Sequence, residues 1–530
     1  MTNSTRSPIH WDKLVECLVV VLAVGTAALS ARPYAGGWND GSRLATVETL
    51  IDQHTWKIDH STFVQVPHPE DTAAPLPYDP SEPALLQHGT LDKLFIDGHY
   101  YSDKSPLPAV LMAGCYRLWQ WATGWTARTR PDRFCAAMTL ASSGLAYVLA
   151  VWCVYRLGRC LRLPLLLRLI LTASFALATV AQPYARQVNN HILLLAVTSA
   201  LVLATAKMVE RTRQGRASWR HFAVLGALAG LGYTIDLGVG PVILLCTSVL
   251  VLSCCPFGVW RRASLLLLPC LVFALAALPW LTLHHAINYA IGGSWKPANA
   301  NPAYFRWPGS PFDAGNLTGS WIHHDGGSFL LYAASMLAGK RGFFGHNLPL
   351  FLTLPAVVVL LRRHRENWRE VLWVIGCCGG TWLLYAATSN NSSGQCLSIR
   401  WFVPLLALAY YMLALFLQRY SQYRIDFLIL NAWGGLLVLL MREGPWMSHM
   451  VPLFWPIQAA ALVSWALWHH LRGRMAPLPG LALVLQPSRS LMSSAFAASS
   501  DAPVPAEPAI PANSRHFGSA REGLPSALHR

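Results

Sequence analysis

Charge is scarce in this 530-residue chain, at 12% of residues, and acid is scarcer than base, with 25 Asp and Glu against 41 Lys and Arg. Together with 54% hydrophobic residues and a positive mean hydropathy, that poverty of charge excludes a soluble globular protein and points to an all-α polytopic membrane protein. The formal charge of +16 does not signal nucleic acid, because most Arg fall in short clusters between apolar runs, the pattern of positively charged inner loops. The twelve cysteines show neither a disulfide framework nor metal spacing. Most lie in or beside apolar runs, as Cys153, Cys246 and Cys377 do, and Cys396 alone falls clearly in a polar outer loop. No internal repeat is visible.

Apolar runs of near-spanning length are abundant, and a helix needs roughly 20 residues to cross the hydrocarbon core. About twelve spans are expected: 14–31, 133–155, 163–181, 190–209, 222–236, 239–257, 263–283, 347–361, 371–388, 401–418, 425–441 and 450–471. The first is too long for a signal-peptide core and lacks a cleavage site, so it reads as a retained anchor. A further candidate, 106–123, contains Arg117 and ends in Trp119, Trp121 and Trp125. Counting it as a span would put the Arg156–Arg168 cluster and every later basic cluster outside; as an interfacial helix it leaves them inside with the amino terminus. Two large outer segments then follow, 32–132 and 284–346, with shorter ones near 182–190, 389–400 and 442–449. Beyond Met475 an Ala, Pro and Ser-rich stretch reads as a disordered cytoplasmic tail.

Chemistry is expected in the outer segments. After Asp40, the residues Leu44, Val47, Leu50 and Ile51 recur at helical spacing, so 40–52 reads as an amphipathic helix on the outer membrane surface. Asp40 lies near its start, where an acid caps orphan amides or serves as a base. Further along the same loop, "FIDGHYYSDKSPLPA" sets Tyr101, Asp103 and Lys104 before the surface helix marked by Pro106. Arg186 and Arg400 fall at the outer boundary; Asn189, Asn190 and His191 occupy a short outer turn. Asp236 sits in another, "YTIDLGVGP". The "HHDGG" of 323–327 is the densest histidine group and leaves a metal site open. "GKRGFFGHN", 339–347, is a basic cluster on the side opposite to the others, which suggests either an anion to bind or a span formed by the preceding "SFLLYAASMLAG".

Asp40, Gly41, Ser42 and Arg43, an acidic "DxxR" after the first span, are followed by Tyr101, Lys104 and Pro106 in a "Y-x-x-K-x-P-L" before a surface helix. This combination resembles the GT-C membrane glycosyltransferases of the protein O-mannosyltransferase and aminoarabinose-transferase type, over roughly residues 10–290. The resemblance implies a transferase using a polyprenyl-phosphate-linked sugar on the outer face, with Asp40 activating the acceptor. It implies donor-phosphate contacts from Lys104 first, then Arg43, Tyr101, Arg186 and Arg400, and secondary or acceptor roles for Asp103, Asn189, Asn190 and His191. It also implies a GT-C-type module over 1–290 with outer loop 32–132, a C-terminal transmembrane module over 291–471 with outer loop 284–346, and the tail over 472–530. The chain departs from the pattern at Gly41, where a second acid is usual, and at Asn189 to His191, where an aspartate is common.

The expected partners are membrane lipids, a lipid-linked sugar donor and an acceptor glycan, lipid or protein, with no nucleic acid. The expected compartment is a bacterial inner membrane with the site facing outward. A transporter or flippase of a lipid-linked glycan is the alternative, but such proteins show matched halves with broken midplane helices, and neither is visible here.

Overall fold

The computed structural model describes residues 8–472 apart from 69, 71–72, 255–262, 314, 395 and 448. The expected tail, and the basic pair Arg261 and Arg262, therefore lie outside the described residues. The first part of the chain forms α1 (Pro8–Ser30), α2 (Trp38–Asp52), α3 (Pro83–His88), a hairpin of β1 (Lys93–Ile96) and β2 (His99–Ser102), α4 (Pro106–Thr123) and α5 (Pro131–Thr139). A π-helical turn at Leu140–Gly144 joins α5 to α6 (Leu145–Cys160). Then come α7 (Leu165–Leu177), α8 (Ala181–Tyr184), α9 (Asn190–Arg213), α10 (Trp219–Ile235), α11 (Val239–Ser253) and α12 (Ala263–Gly292). The rest is α13 (Gly326–Leu337), α14 (Phe343–His346), α15 (Thr353–Arg363), α16 (Trp368–Thr388), α17 (Leu405–Arg419), α18 (Arg424–Leu440) and α19 (Phe454–Arg472).

Among the described residues, six helical stretches are long and apolar enough to cross a membrane: Trp11–Ser30, Pro131–Cys160, Asn190–Arg213, Leu267–Gly292, Arg365–Thr388 and Ser421–Leu440. The other six expected spans also fold as helices, but shorter: α7 has 13 residues, α10 17, α11 15, α15 11, α17 15 and α19 19. The twelve expected spans thus all fall on helical segments, of which six, among the described residues, are both long and apolar enough to cross a membrane. The reason is visible in α17, buried from Leu405 to Leu408 and again from Tyr410 to Leu417. Its apolar run reflects packing on all sides by other helices as much as contact with lipid.

Contacts sort the connecting segments to two ends. At one, the Arg32 amide donates to the Arg186 carbonyl (2.9 Å) and the Leu397 amide to the Pro445 carbonyl (3.0 Å). The Arg32 guanidinium also donates to the Arg442 carbonyl (2.6 Å), and Asn299 Nδ2 to the Asp103 carbonyl (3.0 Å). All five expected outer segments meet there. At the other end the basic clusters find acids: Arg168 with Asp12 (2.7 Å), Arg156 with Glu16 (3.0 Å) and Arg213 with Glu370 (2.7 Å).

Both flanks of α13 touch the 386–394 stretch. His323 Nε2 hydrogen-bonds the Ala386 carbonyl (2.6 Å), and Arg341 Nη1 donates to the Gly394 carbonyl (2.7 Å). A 12-residue helix is about 18 Å long, and both flanks of α13 are tied to the end of α16 and the loop that follows it. The basic cluster of 339–347 holds that loop through Arg341.

Two expectations need correcting. The chain is not wholly helical, since β1 and β2 pair antiparallel with Lys93 opposite Ser102 and Ile96 opposite His99. Nor does α2 lie on a surface, for every residue from Asn39 to Thr49 is buried. Its apolar stripe packs on Ile58, Phe63, Tyr78, Tyr116 and Phe134, while its polar positions are covered by loops that supply partners. Glu48 accepts from the Ser61 hydroxyl (2.5 Å) and the Thr62 amide (3.0 Å), and Ser42 donates to the Asp92 carbonyl (2.6 Å). Helix α4 covers one side of this layer with Leu107, Met112 and Tyr116 and leaves Leu111, Leu118 and Trp121 exposed.

Candidate active site

A cavity of about 430 Å³ opens where the outer segments meet the ends of α9, α10, α11 and α16. That lies within the usual range of roughly 300–1,000 Å³ for small-molecule sites. Of the residues singled out by sequence, Arg43, Asp103, Lys104, Asn190, His191, Asp236 and Arg400 line it.

The hairpin explains how two acids meet one lysine. Asp97 and Gly98 both take positive φ, 49° and 82°, as a tight two-residue hairpin turn requires. The pairing of Lys93 with Ser102 then brings the preceding Asp92 and the following Asp103 to the open end. Lys104 Nζ lies 2.6 Å from Asp92 and 2.7 Å from Asp103. Burial pushes the Asp103 carboxyl up, against the pull of the Lys104 ammonium. Sequence reasoning missed Asp92, although the Asp-Gly turn flanked by strand-forming residues was the signal that could have found it.

Arg43 Nη1 donates to the carbonyl of Asn39 (2.8 Å) and to its side-chain oxygen, while Nε has no partner. Burial lowers the guanidinium to about 10, so it remains a cation at neutral pH. Arg400 lies over the Trp446 ring at 5.6 Å, and among the described residues its guanidinium makes no hydrogen bond or ion pair. Asp236 is fully engaged. Its Oδ1 accepts from the amides of Gly238 and Val239 (both 2.9 Å) and from the Tyr385 hydroxyl (3.2 Å), and its Oδ2 from Asn190 Nδ2 (3.0 Å). His191 Nδ1 is 3.4 Å from that same Oδ2. Asp236 thus fixes the α10–α11 turn and seats Tyr385, which stacks on Trp401 at 4.0 Å in the cavity wall.

Asp40 is not on the cavity wall. It occupies the third position of α2, one helical turn before Arg43, and is 1% exposed. Its Oδ2 accepts from the Gly36 amide (2.8 Å), whereas Oδ1 has no partner. Burial drives the carboxyl up to about 7. A methyl group built on Gly37 would lie 3.3 Å from the Trp446 ring and 3.5 Å from Asp40 Oδ1. The indole that underlies Arg400 therefore also stands beside the free oxygen of Asp40.

Three further residues lie away from the cavity. Asn189 caps α9, its Oδ1 accepting the His191 amide (2.8 Å). Tyr101 borders a separate space of about 10 Å³ beside Arg43 and Lys104. Arg186 neighbours Arg32 and Tyr34, where burial lowers its guanidinium to about 10. The histidine group serves packing and capping: Asp325 caps α13 through the Ser328 amide (2.8 Å), and His323 packs among Trp321, Phe329 and Tyr332. Among the described residues, no group of three or more His, Cys, Asp or Glu is arranged to hold a metal ion.

No protein-family model matches the chain, and no curated protein sequence matches it. Among solved structures it is similar to ArnT from Cupriavidus metallidurans bound to undecaprenyl phosphate, at 13% identity and a TM-score of 0.45 over 88% of this chain and 79% of that one. It is also similar to the apo oligosaccharyltransferase of Archaeoglobus fulgidus (13% identity, TM-score 0.42, 84% of this chain and 56% of that one). A third is the arabinosyltransferase EmbB from Mycobacterium smegmatis (13% identity, TM-score 0.44, 92% and 40%).

Proposed function

We propose that this chain is a glycosyltransferase that moves a sugar from a polyprenyl-phosphate-linked donor to an acceptor on the outer face of a bacterial inner membrane. The observation that carries the reading is the unmet cation of the cavity. Arg400 has no hydrogen-bond or ion-pair partner for its guanidinium among the described residues, only the face of Trp446, and Arg43 faces the same space with its Nε unpaired. Both stand where the expected outer segments meet helix ends, and this reading puts the donor phosphate there. The "DxxR" and "Y-x-x-K-x-P-L" stretches supply the rest of the resemblance.

In this reading Arg400 and Arg43 hold the donor phosphate, and Lys104, shared by Asp92 and Asp103, offsets part of the negative charge those acids set beside it. An acceptor oxygen attacks the anomeric carbon, the bond from that carbon to the phosphate oxygen breaks, and the phosphate leaves with the electron pair. The acceptor proton passes to Asp40, the group whose free oxygen and burial suit a base near neutrality. Because Asp40 is buried and off the cavity wall, this reading requires a local opening of the chain around it for the acceptor to reach it.

The test is transfer from a panel of radiolabelled polyprenyl-phosphate sugars in membranes holding equal amounts of folded wild type, Asp40→Asn or Arg400→Ala. Each variant is expected to lose about a hundredfold or more in rate, the usual worth of a general base or of one charge-stabilising donor. Full activity of Asp40→Asn would move the base elsewhere. Absence of transfer by the wild type would favour a lipid-linked-glycan transporter.

A further inference from the structure

Away from the cavity, two guanidinium groups meet just beyond the end of α1. The chain leaves Ser30 through Arg32, whose amide donates to the Arg186 carbonyl (2.9 Å), so the turn before α9 is bound to the exit of α1. Arg32 Nη2 donates to the Arg442 carbonyl (2.6 Å), and its guanidinium lies over the Tyr34 ring at 5.9 Å. The Ala35 amide donates to the Pro77 carbonyl (2.9 Å), which brings Asp79 beside the Tyr34 hydroxyl. Four segments distant in sequence thus converge on one spot, and neither arginine lines the cavity.

Charge at that spot is unbalanced. Among the described residues neither arginine is in an ion pair, Nε of each is buried without a partner, and the Arg186 guanidinium makes no hydrogen bond at all. Burial and the neighbouring Arg32 lower that guanidinium to about 10, so it stays a cation at neutral pH. The nearby acid, Asp79, is occupied by the Ser81 amide (3.0 Å) and hydroxyl (2.8 Å) as well as by Tyr34. One acid against two guanidinium groups leaves a positive charge over, and two like charges held together call for an anion between them.

The surroundings select the anion. Helix α1 is long and apolar enough to cross a membrane, and its Leu18, Val21 and Leu22 are exposed. Leu29, three residues before Arg32, is 92% exposed. That bare apolar face suits lipid chains, and cations just past the end of such a helix reach for head groups. A phosphodiester carries one negative charge, equal to the excess, and a guanidinium pairs with phosphate oxygens through two parallel N–H groups. We infer that Arg32 and Arg186 form a phosphate site separate from the cavity, which holds the headgroup phosphodiester of an anionic lipid in the leaflet at that end of α1. The inference is independent of what the cavity transfers.

The test is photo-crosslinking of the full-length protein in phosphatidylcholine nanodiscs containing a little phosphatidylglycerol with a diazirine on its headgroup, the crosslinked peptides being mapped by mass spectrometry. Wild type is expected to crosslink within 30–35 or 182–189, and excess unlabelled phosphatidylglycerol to compete where inorganic phosphate does not. Arg186→Gln removes no hydrogen bond of the protein and is expected to lose about tenfold or more of that yield, the worth of a hydrogen-bonded charge. Arg186→Lys, which keeps the charge, is expected to retain most of it, and Arg400→Ala to match wild type. Arg32→Gln repeats the test should Arg186→Gln fold poorly. Equal yield from a phosphatidylcholine probe, or unchanged yield in both glutamine variants, overturns the site. Competition by inorganic phosphate as effective as that by phosphatidylglycerol overturns the lipid in favour of a soluble phosphate ester. Loss of crosslinking in Arg400→Ala alone overturns the site too, and moves the anion into the cavity, where it would support the donor reading instead.

Discussion

Asp40 combines a stabilising position with a destabilising environment. The third residue of a helix is where a carboxylate is favoured by the helix dipole, and the Gly36 amide adds a hydrogen bond, yet burial outweighs both and brings the carboxyl up to about 7. A base must be ionised, so the transfer rate is expected to rise with pH through a single limb near 7, and Asp40→Asn to abolish that limb along with most of the rate. A limb that persists unchanged in the residual activity of the variant would assign it to another group. The adjacent Gly41, where a second acid is usual in the resembling enzymes, has a structural explanation. A Cβ there would overlap the Tyr78 hydroxyl, which itself donates to the Phe63 carbonyl at 2.7 Å. Gly41→Asp is therefore expected to gain no activity and to destabilise the outer layer by roughly 1–3 kcal/mol through overpacking, read as a lower thermal midpoint. The charged outer residues were legible in the sequence because a charge at a predicted helix end needs a reason. Asp92 was missed although the Asp97–Gly98 turn signalled the hairpin that carries it; the meeting of Asn299 with Asp103 was not legible, because it depends on packing between segments 196 residues apart, which no local pattern carries.

At the scale of the element, α2 shows what hydrophobic periodicity can and cannot tell. The stripe of Leu44, Val47, Leu50 and Ile51 located the helix, but an amphipathic pattern gives one buried face and is silent on whether loops bury the other. Glu48 makes the difference measurable. Its carboxylate is enclosed by Ser61 and Thr62, and burial raises it from 4.5 to about 7. For an acid raised on folding, the contribution to stability is full below about 4.5 and is lost as pH climbs through about 7. The loss is on the order of 3 kcal/mol at 1.36 kcal/mol per unit. Thermal midpoints of the purified wild type are therefore expected to fall between pH 5 and 8, about the window set by that shift. Glu48→Gln, which stays neutral, is expected to flatten part of the slope. Asp40 is raised in the same direction, so a residual slope should survive in Glu48→Gln and shrink further in the double variant with Asp40→Asn. An unchanged slope in Glu48→Gln would mean that Glu48 is hydrated and titrates as an ordinary surface acid.

For the whole molecule, charge asymmetry was the more reliable guide and run length the weaker one. The basic clusters gather with Asp12, Glu16 and Glu370 at one end, while in an enclosed helix such as α17 run length cannot tell burial in protein from burial in lipid, because both select the same side chains. The cavity depends on this topology at one point above all. Arg400 follows α13 and α16 in sequence, and it shares a wall with Lys104 only if α13 does not cross the membrane. His324 and Lys340 are exposed on either side of α13, and Gln214 is exposed at the opposite end, after α9. In a cysteine-depleted background, His324→Cys and Lys340→Cys are both expected to react with a membrane-impermeant maleimide in intact cells, and Gln214→Cys only after lysis. Opposite labelling of 324 and 340 would turn α13 into a span and place Arg400 across the membrane from Arg43 and Lys104. The donor site would then be dismantled by topology alone, whatever the activity of the point variants.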